Sequence, residues 1–344
     1  MIDWVSFSLP YSGPPVGVQY LKRETWDSPI EPAFCKPLKV EGSYSSSLTV
    51  QAIGGRLYIS GNPVKFFTGQ NVAGTNDLRR LVRMTVHAIW DLLGLVPCLD
   101  AYRALESGDV NLTRVDCTFA YRVGSDDDVV TWLEAMERAC HVRFRGRGHF
   151  DQGICSLMFG LTLHEGKKAT ASRRSTFKFY NKWREMAVHR PTCRDDIAQE
   201  LRERVRGAVR GEACYRALEL QRYGKDRLSA WTQDTARELH RAWVDRMEMT
   251  ETFTLKSEQE KELPRKLQST YRLWRAGEDV RGLLSRRTFY EHRKELMAHG
   301  IDIAQPRLTA ADPVKVIPVL RVLEAKPEPE EDLEVLFWRL AEAA

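Results

Sequence analysis

Leu112-Thr113-Arg114-Val115-Asp116-Cys117-Thr118-Phe119-Ala120-Tyr121-Arg122-Val123 is the stretch whose reading decides the fold. Its period of two predicts a β-strand with two unlike faces. Val115, Cys117, Phe119 and Tyr121 share an apolar face, and Arg114, Asp116 and Thr118 share a polar one. Asp is depleted in strands. Asp116 therefore marks either an Asp–Arg ion pair with its neighbour or a site.

Working outward, a helix capped near Ser125 or Asp126 follows, with Val129, Leu133, Met136 and Cys140 as its apolar stripe. Upstream, Leu48–Ile53 and Arg56–Ser60 flank Gly54-Gly55 and predict a hairpin. Gly69 to Asn76 is turn-rich. Asn76 or Asp77 then caps a helix from Leu78 to about Leu93, closed by Gly94. Downstream, strands are predicted over Ile154–Leu163, Ser175–Trp183 and Tyr215–Tyr223. A charged helix at about 195–210 turns Ile197, Leu201, Val205 and Val209 inward. Beyond about residue 228 the pattern is helical. Strands interleaved with helices, then helices alone, predict an α+β domain followed by a small all-α domain. The expected boundaries are 1–235, a helical linker at 236–262, a helical unit at 263–310, and a tail at 311–344 ending in an acidic amphipathic helix.

The 344 residues are 43% hydrophobic and 29% charged, enough apolar material for a sizeable core and too much for a disordered chain. No apolar run is long enough to span a membrane, and the first residues lack the features of a signal peptide. Seven scattered Cys without C-x-x-C fit reduced thiols, so the expected compartment is the cytoplasm. Net charge is only +5, but it is unevenly placed. Residues 141–190 carry eleven Lys/Arg against three Asp/Glu, and residues 261–300 carry ten against five. Residues 321–344 hold three against seven. Two basic blocks interleaved with aromatic residues point to nucleic acid as the partner.

Polar groups on the predicted strands are the candidates for chemistry. In Ser175-Thr176-Phe177-Lys178-Phe179-Tyr180-Asn181-Lys182, Phe177 and Phe179 take one face and Lys178, Tyr180 and Lys182 the other. Cations beside a phenol favour phenolate and attract phosphate; the plainer alternative is an exposed Tyr between solubilising Lys. Asp116 and Glu219, both expected mid-strand, could hold a hard divalent cation from one sheet face, or each could simply pair with a nearby Arg. Arg143, Arg145, Arg147, Arg173 and Arg174 are candidates for tracking a single-stranded backbone. In the later block, helices at about Arg265–Ala276, Asp279–Leu284 and Arg286–His299 form a helix-turn-helix pattern. Ser285 caps the third helix, Phe289 and Leu296 face inward, and Arg286, Arg287, Tyr290, Arg293 and Lys294 are left for DNA. The dispersed His residues contain no zinc motif, and no Walker, G-x-G-x-x-G or G-x-S-x-G sequence occurs.

Taken together, several blocks resemble the filamentous-phage replication initiators of the gene-two class. Asn62–Leu78 resembles their K-x-x-x-G-x-N-V-x-G-x-x-D-L signature, carried here by Lys65, Gly69, Asn71, Val72, Gly74, Asp77 and Leu78. Thr113–Phe119 resembles their [ST]-R-[IV]-D-x-T-[FY] strand, and Tyr180–Glu185 their Y-x-K-x-x-E motif. Leu218-Glu219-Leu220 and Trp274–Ile303 resemble later family segments. The blocks stand in family order over about residues 1–305. The resemblance implies an antiparallel-sheet nicking-endonuclease domain with flanking helices, then a helix-turn-helix-like domain. It implies a rolling-circle initiator that nicks one strand of a double-stranded origin through a 5′-phosphotyrosine and later rejoins the displaced strand. Tyr180 would be the nucleophile and Lys182 would stabilise phosphate charge. Asp116, Glu219 and Glu185 would hold Mg²⁺ or Mn²⁺. Double- and single-stranded origin DNA, a host helicase and a DNA polymerase are the implied partners. The motif holds a single tyrosine, so termination calls for a second subunit on DNA or reuse of Tyr180. The rival expectation is a non-catalytic origin-binding or regulatory protein.

Overall fold

The structure, a computed structural model, describes residues 1–344 except 23–30, 43, 143–145, 152, 154, 165–166, 250–262, 277, 299–300, 305–321, 323–330 and 343–344. Arg143 and Arg145 lie outside the described residues, as does most of the expected tail. The main body is built on nine strands: β1 (Ile2–Pro10), β2 (Leu38–Glu41), β3 (Ser47–Ile53), β4 (Arg56–Gly61), β5 (Asn111–Arg122), β6 (His149–Asp151), β7 (Ser156–Phe159), β8 (Ser175–Asn181) and β9 (Ala208–Arg216). They lie in the order β6-β7-β8-β9-β5-β1-β4-β3-β2, every neighbouring pair antiparallel.

The expected period-two stretch is β5, at the sheet centre between β9 and β1. Its apolar side joins Phe177 and Phe179 of β8 and Ala213 and Tyr215 of β9 in one core. Two helices cover that face, α4 (Asp126–Ala139) and α8 (Thr235–Val244). Trp132 of α4 meets Phe179 edge-on at 4.9 Å, while His240 and Trp243 of α8 pack on Phe177 at 5.1 and 5.5 Å. Helix α4 begins with a capping box in which Ser125 and Asp128 satisfy each other's backbone N–H groups. Helix α2 (Leu78–Leu93) has its expected limits, with Asp77 accepting from Arg80 N and Gly94 closing the end.

Several boundaries differ from the sequence reading. The strand expected over Ile154–Leu163 breaks at Gly160, whose φ of 83° leaves β7 and a separate strand, Leu161–His164. The helix expected to reach residue 210 is α6 (Asp195–Arg204). It stops before Gly207, whose φ is 72° and where a Cβ would stand 1.8 Å from the Gly124 carbonyl oxygen. Val209 therefore belongs to β9, not to the helix. The strand expected over Tyr215–Tyr223 ends at Arg216, and helix α7 (Ala217–Arg222) takes its place. The expected linker is in part core. Leu239 and Trp243 of α8 are buried, and Met247–Met249 pairs with Cys140–Val142.

A second core lies in the helical unit: α9 (Arg265–Arg275), α10 (Val280–Leu283) and α11 (Arg286–Met297) bury Leu267, Tyr271, Trp274, Val280, Phe289 and Leu296 together. The last helix, α12 (Glu331–Glu342), packs Phe337 into the main core. Asp332 pairs with Arg204 and Glu342 with Arg80, and Arg80 also stacks 3.8 Å from the Trp338 ring. Among the described residues, no helix is long and apolar enough to cross a membrane.

Candidate functional site

The polar side of the central strands forms a mostly buried charged face. Antiparallel register sets it: Lys178 stands opposite Glu212 and Tyr180 opposite Arg210, while β5 brings Thr118 opposite Glu212 and Asp116 opposite Cys214. Asp3 joins from β1 beside a register shift between Ile2 and Trp4.

A loop closes over this face. Asn62 caps the short helix α1 (Pro63–Thr68) and Gly69 ends it. The Gln70 side chain is buried and ties the next turn together, accepting from Val72 N and Ala73 N at 2.7 and 2.8 Å and donating to Ala73 O at 3.0 Å. That knot fixes Asn71. Its side-chain oxygen accepts from Lys182 Nζ at 2.7 Å, its amide nitrogen donates to Asp3 at 3.3 Å, and its carbonyl accepts from Arg210. Asp3 also accepts from Asn62 at 2.8 Å.

Asn181 turns the chain out of β8. Its side chain accepts from Arg184 N and so caps helix α5 (Lys182–Val188). The sequence expectation of one strand through Lys182 fails for this reason: Lys182 opens a helix. Its ammonium is nonetheless on the polar face, bonded to Glu185 at 2.6 Å as well as to Asn71. Burial first, then the Arg210 charge, pushes the Lys182 pKa down to about 8.

Tyr180 is 6% exposed, and among the described residues its hydroxyl has no hydrogen-bond partner. The Lys178 ammonium lies 4.3 Å from its ring centre. The phenolate expected from positive neighbours is not the resting state. Burial pushes the phenol well above its ordinary pKa, and the Arg210 charge only partly opposes this. Arg210 is itself buried and donates to Thr118 Oγ1 at 2.9 Å.

The three expected metal ligands are not brought together. Asp116 is gripped by Arg114 through two bonds of 2.9 and 2.5 Å. Glu185 is held by Lys182. Glu219 is on α7 rather than a strand, and its partners are Arg174, Arg222 and Arg246. Among the described residues, no group of three or more His, Cys, Asp and Glu stands ready to hold a metal ion. The carboxylates that do share the face are Asp3, Asp116 and Glu212. Burial is the main cause raising the pKa of Asp116 and Glu212, and neighbouring carboxylates add to it. Sequence reasoning missed Asp3, Arg210 and Glu212, and named Asn71 only as a position of the family signature. The signal for two of them was present: Arg210, Glu212 and Cys214 alternate with Val209, Gly211, Ala213 and Tyr215.

The expected DNA-contacting residues divide. Arg173 and Arg174 are exposed in the turn before β8. Arg147 lies on a short strand, Gly146–Arg147. In the helical unit, Ser285 caps α11 by accepting from Thr288 N, and Arg286, Arg287, Tyr290 and Lys294 are exposed. Arg293 is spent inside the unit, gripping the buried Asp302 at 2.7 and 2.9 Å, so it is not a free contact for DNA.

Residues 1–256 match the family model for the N-terminal part of the phage gene-two replication-associated protein, and residues 255–331 match the model for its C-terminal part. The gene-two replication-associated protein of Enterobacteria phage I2-2 is 32% identical over 339 residues, covering 95% of this chain and 94% of that protein.

Proposed function

The chain belongs to the gene-two family of phage replication-associated proteins, and from that premise we propose that it starts rolling-circle replication by nicking one strand of an origin through Tyr180. The observation that carries this reading is the meeting of Tyr180, Lys182 and Arg210 on one buried polar face, fixed by the Asn71 loop. In the proposed step Tyr180 Oη attacks the scissile phosphorus. The bond to the 3′-oxygen breaks, a 5′-phosphotyrosine forms, and the departing oxygen takes a proton. Glu212 lies on the same face and its charge acts on Tyr180; it is the proposed acceptor of the phenol proton, which it passes on to the departing 3′-oxygen. Lys182 and Arg210 offset the charge that grows on the phosphate oxygens, where low polarity strengthens each contact. The bond energy is retained in the phosphotyrosine, so the reverse step rejoins a strand without ATP.

Asp116, Glu219 and Glu185 do not fit one divalent ion, so the proposed step rests on the side chains above. Double- and single-stranded origin DNA are the proposed substrates. Arg286, Arg287, Tyr290 and Lys294 of the helical unit are the proposed duplex contacts, and a host helicase and polymerase the proposed successors at the 3′-OH. The test is to incubate the protein with an origin-containing supercoiled plasmid and magnesium or manganese. A nicked product with protein covalently on its 5′ end is expected. A rival reading, origin binding without chemistry, draws on the burial and raised pKa of Tyr180. It predicts a specific complex with intact strands and full replication by Tyr180→Phe.

A further inference from the structure

At the other end of β8, two residues expected to serve different roles meet each other. Glu219 is fully buried on α7. Three guanidiniums surround its carboxylate: Arg222 Nη1 at 3.2 Å from Oε1, Arg246 Nη2 at 3.6 Å from the same oxygen, and Arg174 Nη1 at 3.6 Å from Oε2. Among the described residues, Glu219 Oε2 is buried without a hydrogen bond. The arginine side chains are 52%, 66% and 26% exposed for Arg174, Arg222 and Arg246.

Neutralising one buried carboxylate takes one cation. Three are present, leaving a local surplus of two positive charges facing solvent. Mutual repulsion would splay such side chains, but the turn carrying Arg174 and the guanidinium of Arg246 are tethered, and Arg222 bonds Glu219 itself. Arg216 donates to Ser172 O, and Ser172 Oγ accepts from Arg174 N at 3.2 Å, so the turn carrying Arg174 is pinned. Arg246 also donates to Tyr223 Oη. Each guanidinium has five N–H donors in a planar fork suited to phosphate oxygens. A hydrogen bond to one carboxylate leaves most of them unused.

We infer that Arg174, Arg222 and Arg246, fanned out from the buried Glu219 carboxylate, form a docking site for a phosphodiester of the DNA backbone. The inference rests on the reading of the chain as a DNA-handling protein, not on Tyr180 as the nucleophile. Arg174 immediately precedes β8 and Tyr180 is six residues further on, roughly 20 Å at strand spacing. The site therefore grips the backbone well away from the reacting phosphate and sets the direction in which the strand crosses the sheet.

The experiment measures binding of the full chain to a fluorescent 20-nucleotide single strand and to the corresponding duplex, each across a salt series. The variants are Arg174→Gln with Arg222→Gln, and Arg103→Gln as a single-charge control compared per charge removed. Arg103 is 70% exposed and pairs only loosely with Asp100, at 3.4 Å. The double variant should bind about tenfold more weakly at 0.1 M salt. On the single strand its log–log salt slope should be shallower by about 1.4, about 0.7 for each arginine replaced. A loss confined to one DNA form assigns the site to that form. Equal affinity and slope for double variant and wild type would overturn the inference, and so would an equal loss per charge in Arg103→Gln. Should the double variant fail to fold, Arg222→Gln alone carries the test with half the slope change. Absence of a Tyr180 adduct in the wild type would sink the nicking reading and leave these isotherms to judge the docking site.

Discussion

The two ends of strand β8 carry charge in opposite ways. Around Tyr180, the carboxylates of Asp3, Asp116, Glu185 and Glu212 are answered by Arg114, Lys178, Lys182 and Arg210, most of them shielded from water. Around Glu219, one buried carboxylate faces three cations, two of them open to solvent. The difference follows from dielectric. Removed from water, each charge costs several kcal/mol unless matched nearby, so the Tyr180 face is balanced and its pKa values are displaced. In water, surplus charge is screened and tolerated. The first arrangement suits bond-making and the second suits holding a polyanion.

Breaking the Tyr180 face should have the largest effect. Tyr180→Phe should lower covalent adduct formation by about a thousandfold or more, since no other group takes over a missing nucleophile; single-turnover gels with an origin oligonucleotide measure this. Lys182→Met removes one stabilising donor and should cost about a hundredfold at saturating DNA. A loss confined to affinity would move Lys182 out of the chemistry. Asn71→Ala, which frees Lys182 and Arg210 from their loop, should cost roughly tenfold through positioning alone.

Salt sharpens the contrast further. Between 0.05 and 0.2 M, DNA affinity should fall steeply while the single-turnover rate of bound complex changes less than about twofold, because buried charges are little screened. Parallel loss of both would mean that the reacting face is open to ions.

The smallest effect belongs to the apolar side of the sheet beneath both regions. His240 is buried against Phe119, Phe177 and the Gly211 carbonyl, and burial pushes its pKa down to about 3. Below about pH 6.5 the unfolded chain takes up a proton that the folded chain refuses. Stability should therefore fall as pH drops from 6.5 towards 3. His240→Gln should flatten that part of the denaturation profile, and an unchanged slope would show that another group is responsible.

Much of the fold was legible because period and caps agree in β5, α2 and α4. The failures have a common cause. Asn181, Gly207 and Arg216 each end one kind of element and begin another within a residue or two, where apolar spacing is ambiguous between 2 and 3.6. Reading Ala208–Arg210 as helix and Leu218–Leu220 as strand hid Glu212 and promoted Glu219. Asp3 and Asn71 gave no periodic signal at all. Asp3 reaches the site by long-range strand pairing and Asn71 by a loop that the Gln70 side chain ties, neither of which local periodicity reveals. Arg293 looked like a contact for DNA because its partner Asp302 lies nine residues on, past the end of its helix.

The most direct test is to digest the trapped protein–DNA complex and locate the modified residue by mass spectrometry. The account predicts a 5′-nucleotide phosphate on the peptide bearing Tyr180, at that residue. A nucleotide attached to any other side chain would contradict it.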